Sequence, residues 1–326
     1  MGVVKKILLI ALVLFVIILI AGISTYKPFF EVKEIKVVDH KGYPCLKISF
    51  KTDSYPVVFK LLTPEGELIY SWAAEKPEEV VYLYLTPGNP YKNILGPKSY
   101  VVRAFYGDKE LWKNEVSIKG TGADVKILDV KFRSNFTGLN VESVNLDVKN
   151  TGDVPLYLNV LEDKLYLDDN PIPFSMETAI IMPEESSRVR LTSIISYISS
   201  AELKTDHKLR FSIPNVAEAS YTIKALEPEL RIERVGLKPF LSEWDVDNIT
   251  LIISNNANYP INVKWWIEIT VNGMPVSPLL WAASDEVLNP GERKTVIYDL
   301  SFVVVPKPIE IKVLLGKSEA SWSSGG

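Results

Sequence analysis

His40 and His207 are the only histidines in the chain, and each directly follows an aspartate, Asp39 and Asp206. An imidazole beside a carboxylate is two thirds of a proton relay, which still needs an activated serine or thiol within reach. The two histidines belong to different predicted domains, and each is expected in an exposed loop. Two histidines and one cysteine are too few and too scattered for a zinc site. Asp168-Asp169-Asn170 and Asp245-Val246-Asp247-Asn248 gather oxygen ligands of the kind that hold calcium weakly, but neither has the glycine and distal glutamate of an EF-hand loop. Both stretches read as turns. No glycine-rich phosphate loop occurs, and no spacing pairs two carboxylates for acid–base work. The sequence therefore nominates no catalytic, metal or cofactor-binding residue, and the expectation is a non-enzymatic protein without cofactors.

Recognition chemistry is better represented. Trp265-Trp266, with Trp281 further on, is the strongest aromatic cluster. On a strand, neighbouring side chains face opposite ways. One tryptophan of the pair should then sit in the core and the other outside, where it is either covered by Trp281 or the neighbouring domain or free to anchor a partner. Asn135-Phe136-Thr137 and Asn248-Ile249-Thr250 match the glycosylation acceptor pattern. Cys45, the single cysteine, has no intrachain partner. In the segment around Leu46, Ile48 and Phe50 it shares a face with Lys47 and Ser49, so it is expected to be partly exposed.

These residues must be positioned by something. The 326 residues carry 36 Lys and Arg against 40 Asp and Glu, a net charge of −4. With no basic stripe, nucleic acid is excluded as a partner. Glutamine is absent and there are four methionines, which points to a thermophilic, archaeal-type source. Ile7 to Ile23 is an uncharged apolar run, with Leu12 and Ile17 in its middle, preceded by Lys5 and Lys6. As a helix it approaches the length of a bilayer core. It reads as a single-pass anchor buried in membrane lipid, with the N-terminus cytoplasmic and the C-terminal ectodomain extracellular at the cell membrane. A cleaved signal peptide is the rival reading.

After the anchor, short alternating strands and Gly/Pro turns predict a mainly β chain. Pro64-Glu65-Gly66, Gly107-Asp108 and Asn272-Gly273 are turns, and 87–97 is an exposed loop. An internal repeat is visible. SVNLDVKNTGDVPLYL and NITLIISNNANYPINV each run an alternating strand into an asparagine, Asn150 or Asn255, followed five residues later by Pro155 or Pro260. Val144, Leu146, Val148, Leu251 and Ile253 should face inward, and Asn150 and Gly152 should end the strand by adopting positive φ. Further on, Pro183 in MPEESSRVRL matches Pro290 in LNPGERKTVI. The domains expected are a tail and anchor over 1–28, sandwiches over 29–121, 122–227 and 228–318, and a flexible tail over 319–326. In all, three tandem immunoglobulin-like β-sandwiches follow one N-terminal transmembrane helix.

The repeat resembles the water-stress and hypersensitive-response (WHy) domain of the late-embryogenesis-abundant type 2 family, closely over residues 124–226 and loosely over 229–316. The resemblance implies a sandwich related to immunoglobulin and fibronectin III folds, with a short helix inserted near LTSIISYISSAEL, where Ile194, Ile195 and Ile198 share a face. It brings no catalytic residues. The family's Asn-Pro-Asn signature is degraded here to Asn150-Thr151-Gly152 and Asn255-Asn256-Ala257. Two functions are expected from these readings. One is a non-catalytic binding or structural module, with a protein partner in an envelope complex. The other, implied by the resemblance, is protection under water stress.

Overall fold

The computed structural model describes residues 12–17, 28–193, 196–277, 287–300 and 303–324. Of the expected anchor it describes one helical stretch, 12–17, which contains Leu12 and Ile17; Ile7 and Ile23 lie outside the described residues. Six residues rise about 9 Å against a ~30 Å hydrocarbon core. Among the described residues no helix is long and apolar enough to cross a membrane. That overturns the expected single-pass location, with its cytoplasmic N-terminus and extracellular ectodomain.

The rest is β-structure, and the chain divides into two compact units. The first, Met1–Thr121 with Gly152–Pro155, contains β1 (Phe30–His40), β2 (Tyr43–Thr52), β3 (Val57–Leu62), β4 (Leu68–Ala74), β5 (Glu78–Tyr84), β6 (Lys98–Tyr106) and β7 (Lys109–Ile118). One sheet has the order β1-β2-β5 and the other β4-β3-β6-β7, all antiparallel. This three-plus-four arrangement is that of an immunoglobulin-like sandwich. Alternation places Leu46, Ile48 and Phe50 of β2 against Phe59 and Leu61 of β3, all essentially inaccessible. Val154, from the Gly152–Pro155 segment, is fully buried in the same core.

The second unit, Gly122–Thr151 with Leu156–Gly326, repeats the arrangement twice. Its first sandwich holds β8 (Ala123–Ser134), β9 (Gly138–Asn150), β10 (Leu156–Leu158), β11 (Lys164–Leu167), β12 (Asn170–Ile172), β13 (Phe174–Ser175), β14 (Ala179–Ile181), β15 (Ser186–Ser193), β16 (Ile198–Ser199), β17 (His207–Ile213) and β18 (Ala217–Ile223). Its second holds β19 (Glu229–Phe240), β20 (Glu243–Ser254), β21 (Ile261–Asn262), β22 (Ile267–Val271), β23 (Met274–Val276), β24 (Val287–Leu288), β25 (Arg293–Asp299), β26 (Val304–Val305), β27 (Glu310–Leu315) and β28 (Ser318–Ser323). The sheets β8-β9-β15 and β12-β11-β17-β18 correspond strand for strand to β19-β20-β25 and β23-β22-β27-β28. The small pairs β10–β14 and β21–β24 also correspond.

Three expectations change. Residues 319–323 of the expected tail belong to β28, which pairs with β27 along its whole length, because Ala320 alternates inward with polar neighbours. The helix expected near LTSIISYISSAEL is replaced, where described, by the end of β15, by β16 and by a 3-10 turn, Glu202–Lys204. Ile198 pairs with Leu139 on β9, and Ile194 and Ile195 lie outside the described residues. The 87–97 loop is exposed at its tip but pinned at its base. Ile94 is buried, and it exchanges hydrogen bonds with Thr121 at 2.7 and 3.0 Å.

The repeated asparagine has a different role from the one expected. Neither Asn150, Asn255 nor Gly152 has positive φ. Instead, both asparagine side chains are buried and tie the end of one strand to the neighbouring connection. Asn150 Nδ2 donates to Ile181 O at 2.8 Å, and Asn255 Nδ2 donates to the matching Leu288 O at 2.9 Å. Their backbones clasp the proline turns before β15 and β25. Asn150 N donates to Glu185 O and Asn255 N to Glu292 O; Glu184 N and Gly291 N donate back to Asn150 O and Asn255 O. Glu184 (φ 67) and Gly291 (φ 76) hold the left-handed position after Pro183 and Pro290, as a type II turn demands.

Candidate functional site

The two sandwiches of the second unit are joined by a built junction. Between β18 and β19, Leu226 is buried; its N–H donates to Leu203 O at 2.7 Å and its carbonyl accepts from Lys317 N at 2.8 Å. The β27–β28 turn comes so close that a Cβ on Gly316 (φ +62) would lie 2.2 Å from Leu226 O. From the other side, the loop after Asn255 reaches back. Asn258 donates to Tyr221 Oη at 2.8 Å and to Thr222 O at 3.2 Å. Tyr259 is fully buried with its ring 5.9 Å from that of Phe132 on β8. Burial pushes the Tyr259 phenol well above its ordinary pKa, with the Asp206 charge adding to the effect.

The tryptophan pair completes this junction. Trp265 and Trp266 lie in the turn between β21 and β22, not on a strand as expected. Asn262 Oδ1 shapes that turn by accepting from Lys264 N and Trp265 N, both at 3.1 Å. Trp266 is 5% exposed and its Nε1 donates to Asn135 O at 2.9 Å, across to the β8–β9 turn of the other sandwich. Trp265 is 40% exposed and meets Phe136, itself 66% exposed, edge-on at 6.3 Å. Tyr197 stands beside them, its hydroxyl donating to Thr137 O at 2.6 Å, and Lys264 Nζ lies 5.5 Å over the Trp265 ring. One tryptophan is inside and one outside, as expected, but turn geometry rather than strand alternation produces this. Trp281 lies outside the described residues.

The acceptor triplets separate clearly. Asn135 sits in the β8–β9 turn, where its Oδ1 accepts from Thr137 N, Thr137 Oγ1 and Gly138 N, each at 2.9 Å. Asn248 is inside β20, flanked by β19 and β25, with its side chain against Gly236.

His207 is not in an exposed loop. It is buried on β17, and its Nδ1 lies 2.5 Å from Asp168 Oδ2 rather than beside Asp206. Its Nε2 faces Glu202 O at 3.0 Å. A backbone carbonyl only accepts, so Nε2 carries its proton and offers no lone pair to a hydroxyl. The pair therefore cannot serve as the base of a serine relay. Asp168 Oδ1 accepts from Lys208 N at 2.8 Å, so the backbone engages this carboxylate. Asp168 (φ 48) and Asp169 (φ 64) form the tight turn between β11 and β12. Asp247 is strand rather than turn; it accepts from Lys238 Nζ at 2.6 Å, and that hydrogen bond holds its carboxyl below its ordinary pKa. Among the described residues no group of His, Cys, Asp and Glu could hold a metal ion. His40 is also on a strand, stacked on Tyr82 at 4.0 Å and 3.1 Å from Tyr84 Oη through Nδ1.

Cys45 is fully buried, not partly exposed, because β2 is the central strand of its sheet. Burial, aided by Asp39, pushes its thiol up to about 12, so it is inert. Sequence reasoning missed Asp163, a carboxyl left 1% exposed between β10 and β11. Oδ2 accepts from Asn159 N at 2.8 Å, and among the described residues Oδ1 has no hydrogen-bond partner. Burial raises its pKa to about 7. In the next repeat Trp266 takes the equivalent place in its turn, its N–H donating to Asn262 O at 3.1 Å as Asp163 N donates to Asn159 O at 3.0 Å. Counted from Asn150 and Asn255, the sequence instead sets Asp163 against Glu268, so it carries no signal of the buried acid.

No family model matches the chain, and no curated protein does. Among solved structures it is similar to the I9–I11 tandem from titin, at 12% identity and TM-score 0.36, covering 90% of this chain and 98% of that one. A tetra-tandem repeat from the extending region of a large adhesion protein has 13% identity and TM-score 0.26, covering 91% and 73%. The CupB2 chaperone of Pseudomonas aeruginosa has 14% identity and TM-score 0.19, covering 56% and 91%. The fold itself rests on the strand order described above: tandem immunoglobulin-like β-sandwiches.

Proposed function

We propose that this chain is a non-catalytic binding module that holds a protein partner within a larger complex, with Phe136 and Trp265 as the docking anchors. The carrying observation is the exposed edge-on pair itself. Trp266 ties its own turn to the β8–β9 turn through Asn135 O, and Asn262 and Tyr298 hold the turn from within, so the anchors are ordered before any partner arrives. Aromatic side chains on rigid supports bury large area at small entropic cost, which is why they dominate binding hot spots. A water-stress protectant would ask for an evenly polar surface, and two adjacent exposed aromatics do not fit that role.

A photo-reactive benzoylphenylalanine at position 136, irradiated in the native host, tests the reading. A discrete cross-linked adduct containing a second protein is expected, and Trp265→Ala should abolish it. A chain that cross-links only within itself would contradict the proposal.

A further inference from the structure

The sheet containing β15 is incomplete on one side. β15 pairs with β9 from Ser186 to Thr192. On its other side β13 pairs with it only at Thr192 and Ser193. Met176–Thr178 then leaves the sheet, and β14 pairs with β10 instead. Between the departing segment and β15 lies a cleft of roughly 690 Å³, lined by Ser175, Glu177, Thr178, Arg188 and Arg190 among others. In an antiparallel strand alternate residues turn their N–H and C=O away from the paired neighbour. Among the described residues no strand takes up those groups between Ser186 and Leu191. An unpaired edge of this length is a template for a further strand.

The side chains state what that strand should carry. Val189 and Leu191 point into the core, while Arg188 and Arg190 are exposed on the outer face. Two residues apart on a strand, Arg188 and Arg190 have Cα atoms about 7 Å apart and project from the same face. Neither forms an ion pair among the described residues; Arg190 reaches only Ser143 Oγ, at 3.4 Å. Glu177 is the one acid lining the cleft, against these two cations.

We propose that this edge accepts an extended segment of another protein, added as a strand alongside β15 and bearing acidic side chains at alternate positions with apolar ones between them. The main-chain groups of β15 supply the pairing. Arg188 and Arg190 select the acidic face, and the apolar residues turn toward Met176 and Val189. Strand addition of this type takes its affinity from the backbone and its specificity from alternate side chains. The inference does not depend on the aromatic pair, since Phe136 and Trp265 take no part in it.

The test is fluorescence anisotropy of the full chain with a fluorescein-labelled peptide of alternating Glu and Val, flanked by Gly-Ser. Saturable binding that weakens with added salt is expected, and none for the Lys-Val peptide. Arg188→Glu with Arg190→Glu should weaken binding at least tenfold; both side chains are exposed, and Arg188→Gln with Arg190→Gln provides a milder pair. Of two peptides N-methylated at every Val or at every Glu, one should lose at least tenfold, because only one set donates toward β15. No saturable binding, indifference to the arginine substitutions, or full binding by both N-methylated peptides would overturn the proposal. So would dimerisation of the chain that the arginine substitutions abolish, since a second copy would then be the occupant.

Discussion

Asn150 and Asn255 show how much a single side chain does here. Each buried amide satisfies a carbonyl of the neighbouring connection; Asn255 serves both Tyr259 O and Leu288 O at 2.9 Å, and its Oδ1 accepts from Ala257 N. Leaving a buried polar group unpaired costs about 1–3 kcal/mol. Asn150→Ala and Asn255→Ala are each expected to lower unfolding free energy by at least that much in urea titrations of the full chain. Asp163 works in the opposite sense. Its folded pKa of about 7 lies above the ordinary carboxyl value. The protonated form is thus favoured by folding, so its contribution is complete in acid and lost as pH rises through about 7. Asp163→Asn keeps an acceptor for Asn159 N without the charge. The substitution should raise the melting temperature at pH 8 and leave it nearly unchanged at pH 4. A gain of equal size at both pH values would show that the buried charge is not the cause.

At the scale of elements, the loop after Asn255 ties strand end, proline turn and neighbouring sandwich together. Asn258 and Tyr259 hold β18 and β8, while Gly316 lets the β27–β28 turn close on Leu226. Gly316→Ala is expected to cost more than 1 kcal/mol in chemical unfolding, since a methyl group would meet backbone at 2.2 Å in a left-handed conformation. The same substitution at Gly273 has open space around it and should cost only the left-handed strain of its turn. Much of this architecture was legible in the sequence. Alternation located the strands, the Asn-Gly turn appears between β22 and β23, and the match of Pro183 with Pro290 marks equivalent turns. What alternation missed has a physical reason. Val38 on β1 and Tyr84 on β5 flank Cys45 and cover its small side chain, although Lys47 and Ser49 on the same face stay partly exposed. A turn shaped by Asn262 orients Trp265 and Trp266 without any strand. The Asp168–His207 pair joins residues distant in sequence, and only the pairing of β11 with β17 brings them together.

For the whole molecule, the sequence announced a membrane rod followed by beads, and the described residues carry the beads. No described helix has the length to cross a bilayer. In the second unit the two sandwiches share one continuous core, running from Phe132 and Leu226 to Tyr259 and Leu315. Such a body can carry an aromatic docking surface without ordering it anew for each partner. The claim on which this depends is that the two sandwiches open together. Hydrogen–deuterium exchange of the full chain under native conditions measures it directly, by comparing amides of β17 with those of β20. One shared opening free energy is predicted for the wild type, splitting into two in Tyr259→Ala, where a fully buried ring between the sandwiches is lost. Separate opening free energies in the wild type, or no change in the variant, would contradict the account.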